Sequence, residues 1–339
     1  MKLSINVIIV IALTLCFKSY SQSELPGFAA SPDAVLKKVK LDMPLEGRKY
    51  KNGSGYSLNP KLLKEMPKKV ALVSFYSFDP GMTKIQQWST NNGLFKVTTT
   101  KITQRNAVGS SGDLALGYYL QSIDELKSKF LEYGMDLLVP DEYLDTDAKK
   151  EYYTNYVVER AKFNEWIQNL GEGNHNEIFG TIEGYNVIDI VNEPFANYTK
   201  TGGRYITKKG EVADATVWTM DKCGKMVESL GSNLCENLEV DAVIIVYFTI
   251  YSPNEKSVVL QNVNMHMFGP NPQGKIDKFN CFAGQFYVGT RVNSEIAIWK
   301  PSKKDPTTND LTFKGFENIM QALTIKMATY LQEGIENGK

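Results

Sequence analysis

The sequence predicts an α/β fold: a layered sandwich with a mixed sheet flanked by helices, plus an irregular insert. Three observations lead there. Val70-Ala71-Leu72-Val73-Ser74-Phe75 and Ala242–Ile250 are short, nearly unbroken apolar runs rich in β-branched residues, as expected of strands covered on both faces. Between and after them, apolar residues recur at steps of three and four, the helical period. The elements also come in the order strand, hairpin, helix, strand, helix, insert, helix, three strands, helix. That is not a run of eight βα units.

The amino terminus reads as a cleavable secretory signal peptide over residues 1–21. Lys2 supplies the positive start, Val7 to Phe17 the apolar stretch, and Ser19-Tyr20-Ser21 the small residues ahead of a cut before Gln22. The apolar stretch is about half the length that a spanning helix requires. Cys16 raises lipidation as an alternative, but bulky Leu13-Thr14-Leu15 precedes it where a small residue is needed. The expected location is therefore periplasmic or extracellular, with outer-membrane association left open.

Residues 22–66 lack a periodic pattern and read as an extended lead-in with one short helix near Asp33–Lys40. Residues 67–339 then read as a single α/β domain with its insert at about 171–220. The Val70–Phe75 strand is closed by Asp79-Pro80-Gly81. Residues 83–103 form a hairpin turning at Asn92-Gly93. Ser110 opens a helix with Asp113 three residues on, an apolar face of Leu116, Leu120, Ile123, Leu126 and Phe130, and Gly134 as its stop.

Met135–Val139 is a short strand ended by Pro140. A helix over Asp147–Leu170 follows, with Phe163, Trp166, Ile167 and Leu170 on its late face. Within the insert, Val187–Val191 is the one clear strand, and Gly202-Gly203 is a turn before Arg204–Thr207. Lys222–Leu238 holds helical spacing through Met226, Val227, Leu230, Leu234 and Leu238. After Ala242–Ile250, Ser252-Pro253-Asn254-Glu255 turns the chain into a strand. There Val263, Met265 and Met267 alternate with Asn262, Asn264 and His266, which are expected to face outward. Phe286–Trp299 is the next strand, and a helix over Leu311–Glu333 closes the chain.

Charge and cysteine content exclude several function classes. The chain carries 38 Lys and Arg against 38 Asp and Glu, and losing Lys2 and Lys18 with the signal leaves it slightly acidic. A near-neutral balance offers no electrostatic footprint for nucleic acid, so none is expected as a partner. No later apolar run reaches membrane-spanning length. Cys223, Cys235 and Cys281 do not make a disulfide framework. In an intact helix Cys223 and Cys235 stand about 18 Å apart, too far to bridge, so buried free thiols are expected.

Three stretches resemble the periplasmic α/β domain of the curli secretion channel family and its relatives, the lipoprotein activators of penicillin-binding proteins and the amino-terminal domain of TolB. Lys69–Phe75 looks like their first strand, and Phe130–Leu144 like the helix, strand and acidic turn that follow. Leu238–Val246 is similar to the junction of helix and central strand. The likeness spans about half the chain after the signal. It implies an envelope accessory that binds other envelope or secreted proteins. The curli channel inserts amphipathic hairpins into the membrane. The hairpin at 83–103 is instead rich in Thr, Gln, Asn and Lys, without an apolar face, and is not read as a pore.

One tripeptide points to catalysis. Asn192-Glu193-Pro194 at a strand end looks like the acid/base motif of a clan of retaining glycosidases, and Glu295 can be nominated as the second carboxylate such an enzyme needs. Against it stand the missing βα repeats and the three consecutive late strands. The bland reading makes Glu193 a solvated loop residue. His175 lies in a polar loop and His266 on a strand, without zinc-ligand spacing. No Gly-x-Ser-x-Gly elbow or phosphate loop occurs, so neither cofactor nor metal is expected. Tyr118-Tyr119 and Tyr152-Tyr153-Tyr156 lie on helices and could serve either the core or a partner surface. The leading expectation is an exported, non-enzymatic protein-binding module. The alternatives are a glycosidase using Glu193 and a small-ligand carrier with a deep apolar pocket beside the central strand.

Overall fold

The structure, a computed structural model, describes residues 25, 27–41, 63–79, 82–91, 96–105, 111–158, 178–190, 204–206, 212–214, 229–254, 257–270, 285–301, 309–311 and 313–338. Residues 1–21, expected to be a signal peptide, and Cys223, Cys281, His175, Glu193 and most of the insert lie outside them.

The chain enters through a 3-10 turn (Gly27–Ala30), helix α1 (Pro32–Leu36) and a two-residue strand β1 (Lys40–Leu41). Ser31 caps α1, its hydroxyl accepting from the Ala34 N–H. Strand β2 (Lys69–Asp79) leads into a ribbon of β3 (Met82–Asn91) and β4 (Lys96–Arg105). Helix α2 (Ser111–Glu132), strand β5 (Asp136–Leu138) and two short helices, α3 (Pro140–Tyr143) and α4 (Asp147–Thr154), come next. Short strands β6 (Ile178–Thr181), β7 (Arg204–Ile206) and β8 (Val212–Asp214) precede a π-helical turn (Ser229–Leu234) and helix α5 (Cys235–Leu238). The long strands β9 (Ala242–Asn254), β10 (Ser257–Pro270) and β11 (Gln285–Pro301) then lead through β12 (Asn309–Leu311) to helix α6 (Phe316–Gly338).

Eight strands form one mixed sheet in the order β1-β11-β10-β9-β2-β5, with β12 beside β11 and β6 beside β2. The parallel β2–β9 pair is central. The Asp241 carboxylate sets its start by accepting the Lys68 and Lys69 N–H groups, each at 2.8 Å.

Both faces are roofed, so the sandwich has three layers. One face packs Leu72, Phe75, Ile244, Val246, Met265 and Met267 against α1, α2 and α6. Tyr118 of α2 stacks on Phe316 of α6 at 4.1 Å and meets Phe248 edge-on. Such ring pairs contribute about 0.5–1.5 kcal/mol beyond the area they bury. The other face packs Ala71, Val73, Tyr76, Val243, Ile245 and Tyr247 against Tyr143, Tyr153, Ile188, Ile190, Leu234 and Cys235. Gly180 of β6 lies so close to the Ser111 backbone that a side chain there would collide with it.

Several sequence expectations need correction. The buried stripe of α2 is Leu114, Ala115, Tyr118, Ser122, Leu126 and Phe130, while Leu116 and Leu120 are exposed. Val139 and Pro140 do not simply end a strand, because Pro140 opens α3 at its first turn, where its missing N–H costs nothing. Helix α4 stops at Thr154, with Asn155 as its cap, and residues 155–158 are not helical; Phe163, Trp166, Ile167 and Leu170 of the expected helix lie outside the described residues. Residues 185–190 are not a strand, and the ladder partner of β2 there is β6 instead. Asn262, Asn264 and His266 do alternate with the apolar set, but the face they occupy is also buried.

Candidate functional site

The segment at 185–190 has no ladder and is held instead by side chains at the point where β2 bulges opposite β9, between Leu72 and Ser74. Ser74 Oγ donates to the Asn186 carbonyl at 2.7 Å and accepts from the Ile188 N–H at 3.0 Å. Tyr153, on α4, completes the joint. Its hydroxyl donates to the Val73 carbonyl at 2.6 Å and accepts from the Asn186 N–H at 2.9 Å. Burial pushes the Tyr153 phenol above its ordinary value, which keeps it a donor.

With Tyr153 fixed inward, its neighbours Tyr152 and Tyr156 fall on the outer side of the same helix end, both half-buried. The start of α4 is fixed as well. Thr146 caps it, accepting from the Lys149 N–H, and the Lys149 ammonium bridges Asp145 at 3.0 Å and Glu239 at 2.8 Å. Glu239 is the left-handed cap of α5, so this bridge ties α4 to α5.

Between these anchored elements lies a groove of about 500 Å³. Ala148, Glu151, Tyr152, Asn155, Tyr156 and Val157 form one wall, and Ser229, Asn233 and Asn237 the other. The Tyr152 and Tyr156 rings lie 6.0 Å apart, and the Tyr156 and Ser229 hydroxyls share a hydrogen bond of 2.9 Å across the groove. The Asn155 and Asn237 amides each donate back to their own helix, and each carries a carbonyl oxygen as a further acceptor. Val157 adds an exposed apolar contact at the rim. Rigid amphipathic rings beside adaptable amides and a hydroxyl make up the residue set of protein-recognition surfaces.

The two tyrosine groups named from sequence divide between core and surface. Tyr118 and Tyr153 are core, while Tyr119, Tyr152 and Tyr156 are half-buried. The second wall was missed, although its signal was present: Ser229, Asn233 and Asn237 repeat at steps of four, a polar stripe along one helical face.

The other candidates lie elsewhere. Glu193 falls outside the described residues. Glu295 is exposed on a bulge of β11, where it and Ser294 together face Gln261, and its backbone is left-handed at φ 49°. Its carboxylate accepts from the Tyr251 hydroxyl at 2.9 Å.

His266 is buried between Tyr247 and Tyr287, its Nδ1 2.8 Å from the Tyr287 hydroxyl. Burial, with the nearby positive charge of Arg291, lowers its pKa to about 3, so the ring is neutral at pH 7. Cys235 is free and buried, as expected of it, and burial raises its thiol far above the ordinary range. Among the described residues, no three His, Cys, Asp or Glu side chains are grouped to hold a metal ion. No described helix is long and apolar enough to cross a membrane. The cavity that would mark a ligand carrier was expected to be apolar and beside β9, whereas the groove is lined largely by polar side chains of α4, the π-helical turn and α5. Comparison of the chain with protein-family models, with curated proteins and with solved structures returns no match.

Proposed function

We propose that this chain is an exported, non-enzymatic module that binds other envelope or secreted proteins, and that the Tyr152–Tyr156 groove is where it recognises them. The supporting observation is the groove itself. Its tyrosines, asparagines and serine stand on elements anchored from beneath by Tyr153 and from the side by Lys149. A surface held in place before binding loses less side-chain freedom on association. The signal-like amino terminus and the resemblance to envelope accessory domains agree with this reading.

The test is a crosslinked pull-down of the tagged mature protein from the native envelope fraction, quantified by mass spectrometry. It is run beside the Tyr152→Ala/Tyr156→Ala double variant. A stoichiometric partner that the wild type captures and the folded double variant loses supports the reading. A partner-free monomer, or capture indifferent to the two substitutions, refutes it.

A further inference from the structure

The β3–β4 ribbon stands apart from the groove and has its own chemistry. Ten residue pairs run in unbroken antiparallel register from Met82–Arg105 to Asn91–Lys96, making a ribbon about 30 Å long. Among the described residues it forms a separate two-stranded sheet, and neither outer edge has a ladder partner. A two-stranded ribbon alone is marginal in water, and an unpaired edge is a template for another strand.

Its charge is one-sided. Lys84, Lys96, Lys101 and Arg105 lie within it, and no Asp or Glu occurs from residue 82 to 105. The whole chain is neutral, so these four positive charges are offset only outside the ribbon. Three of the four are on β4.

We propose that the outer edge of β4 receives an acidic, extended polypeptide segment, which adds to the ribbon as a third strand. This rests on the protein-binding reading only in that the occupant is a polypeptide, since the site is different. Strand addition supplies backbone hydrogen bonds to an edge that has no ladder partner among the described residues, and acidic residues in the added segment complement the positive charge of Lys96, Lys101 and Arg105 on β4. Other occupants answer only part of this. A second copy of the ribbon would set four positive charges against four. A lipid surface requires an apolar face, and along the register Lys84, Gln86 and Thr90 interrupt Met82 and Trp88. Nucleic acid would neutralise the charge and leave the backbone edge unpaired.

The test uses the mature full chain and two fluorescent octapeptides of equal charge, alternating Glu-Val and alternating Glu-Pro. Proline cannot donate to a ladder. The Glu-Val peptide is expected to bind at least tenfold more tightly than Glu-Pro and to slow amide exchange across residues 96–105. Lys101→Glu/Arg105→Glu should weaken it at least tenfold, while Lys101→Arg/Arg105→Lys, the folded control with the same charge, retains it. The Tyr152→Ala/Tyr156→Ala variant should bind it normally, so the ribbon and the groove can fail separately. Equal affinity for the two peptides, or no binding, overturns the proposal. So does tighter binding to an oligothymidine or to phosphatidylglycerol vesicles than to the Glu-Val peptide.

Discussion

The Tyr153 hydroxyl donates to the Val73 carbonyl at 2.6 Å, joining helix α4 to the bulge in the central strand β2. The same oxygen accepts from the Asn186 N–H, so one side chain closes two gaps in the backbone bonding. Tyr153→Phe keeps the ring but removes both bonds, leaving a buried carbonyl and a half-buried N–H without this partner. The expected loss is about 1–3 kcal/mol, read by urea denaturation, most of it from the buried carbonyl, because the half-buried N–H can be partly solvated. Hydrogen exchange at Asn186 and Ile188 should accelerate ahead of the rest of the sheet. A loss below about 0.5 kcal/mol would mean that the bulge is held by other contacts.

His266 makes stability depend on pH. Its native pKa is depressed to about 3, against about 6.5 for the unfolded chain, so the unfolded state binds a proton that the native state refuses between those values. The stabilisation is complete above pH 6.5 and is lost as pH falls toward 3. At pH 5 the loss is about 2 kcal/mol. His266→Gln has no such titration. The stability difference between pH 7.5 and pH 5 should therefore be about 2 kcal/mol smaller in the variant than in the wild type. Identical pH profiles would show that the ring reaches solvent.

Glu295 has a backbone that side chains disfavour, at φ 49° on an exposed bulge, where its carboxylate accepts from the Tyr251 hydroxyl. Glycine adopts that conformation freely, and an exposed hydrogen bond is worth little. Glu295→Gly is expected to raise stability by about 0.5–1 kcal/mol in thermal unfolding. A clear fall would assign the carboxylate a larger part in joining β9 to β11 than this one bond provides.

What the sequence revealed and what it hid follow one physical division. Strands β2 and β9 were legible because a run covered on both faces needs no knowledge of its neighbours. The face of α2 was misjudged because Leu116 and Leu120 are more apolar than Tyr118 and Ser122. The burial of Tyr118 depends on Phe316 and Phe313, nearly two hundred residues away. The alternation of His266 was read correctly and its exposure was not, because its face is roofed by parts of three distant segments. The groove follows the same division. Tyr152 and Tyr156 could be named from their helix, but only the packing of the π-helical turn brings Ser229 and Asn233 opposite them.

Cys235 offers a probe of that packing. Its thiol lies inside the second core and its Sγ approaches the Leu230 carbonyl at 3.6 Å. Burial pushes its pKa so far up that almost no thiolate exists at pH 8, and the thiolate is the reactive form. In a Cys223→Ala/Cys281→Ala background of the mature chain, Cys235 is the one remaining thiol. Ellman's reagent should then label it at least a thousandfold more slowly in the native protein than in urea. The native rate should follow the opening of the second core, so Tyr153→Phe, which loosens that core, should speed labelling at least tenfold. Rapid native labelling of the wild type would show that the core beneath the groove opens readily, and a groove on such a base would have no fixed shape to offer a partner.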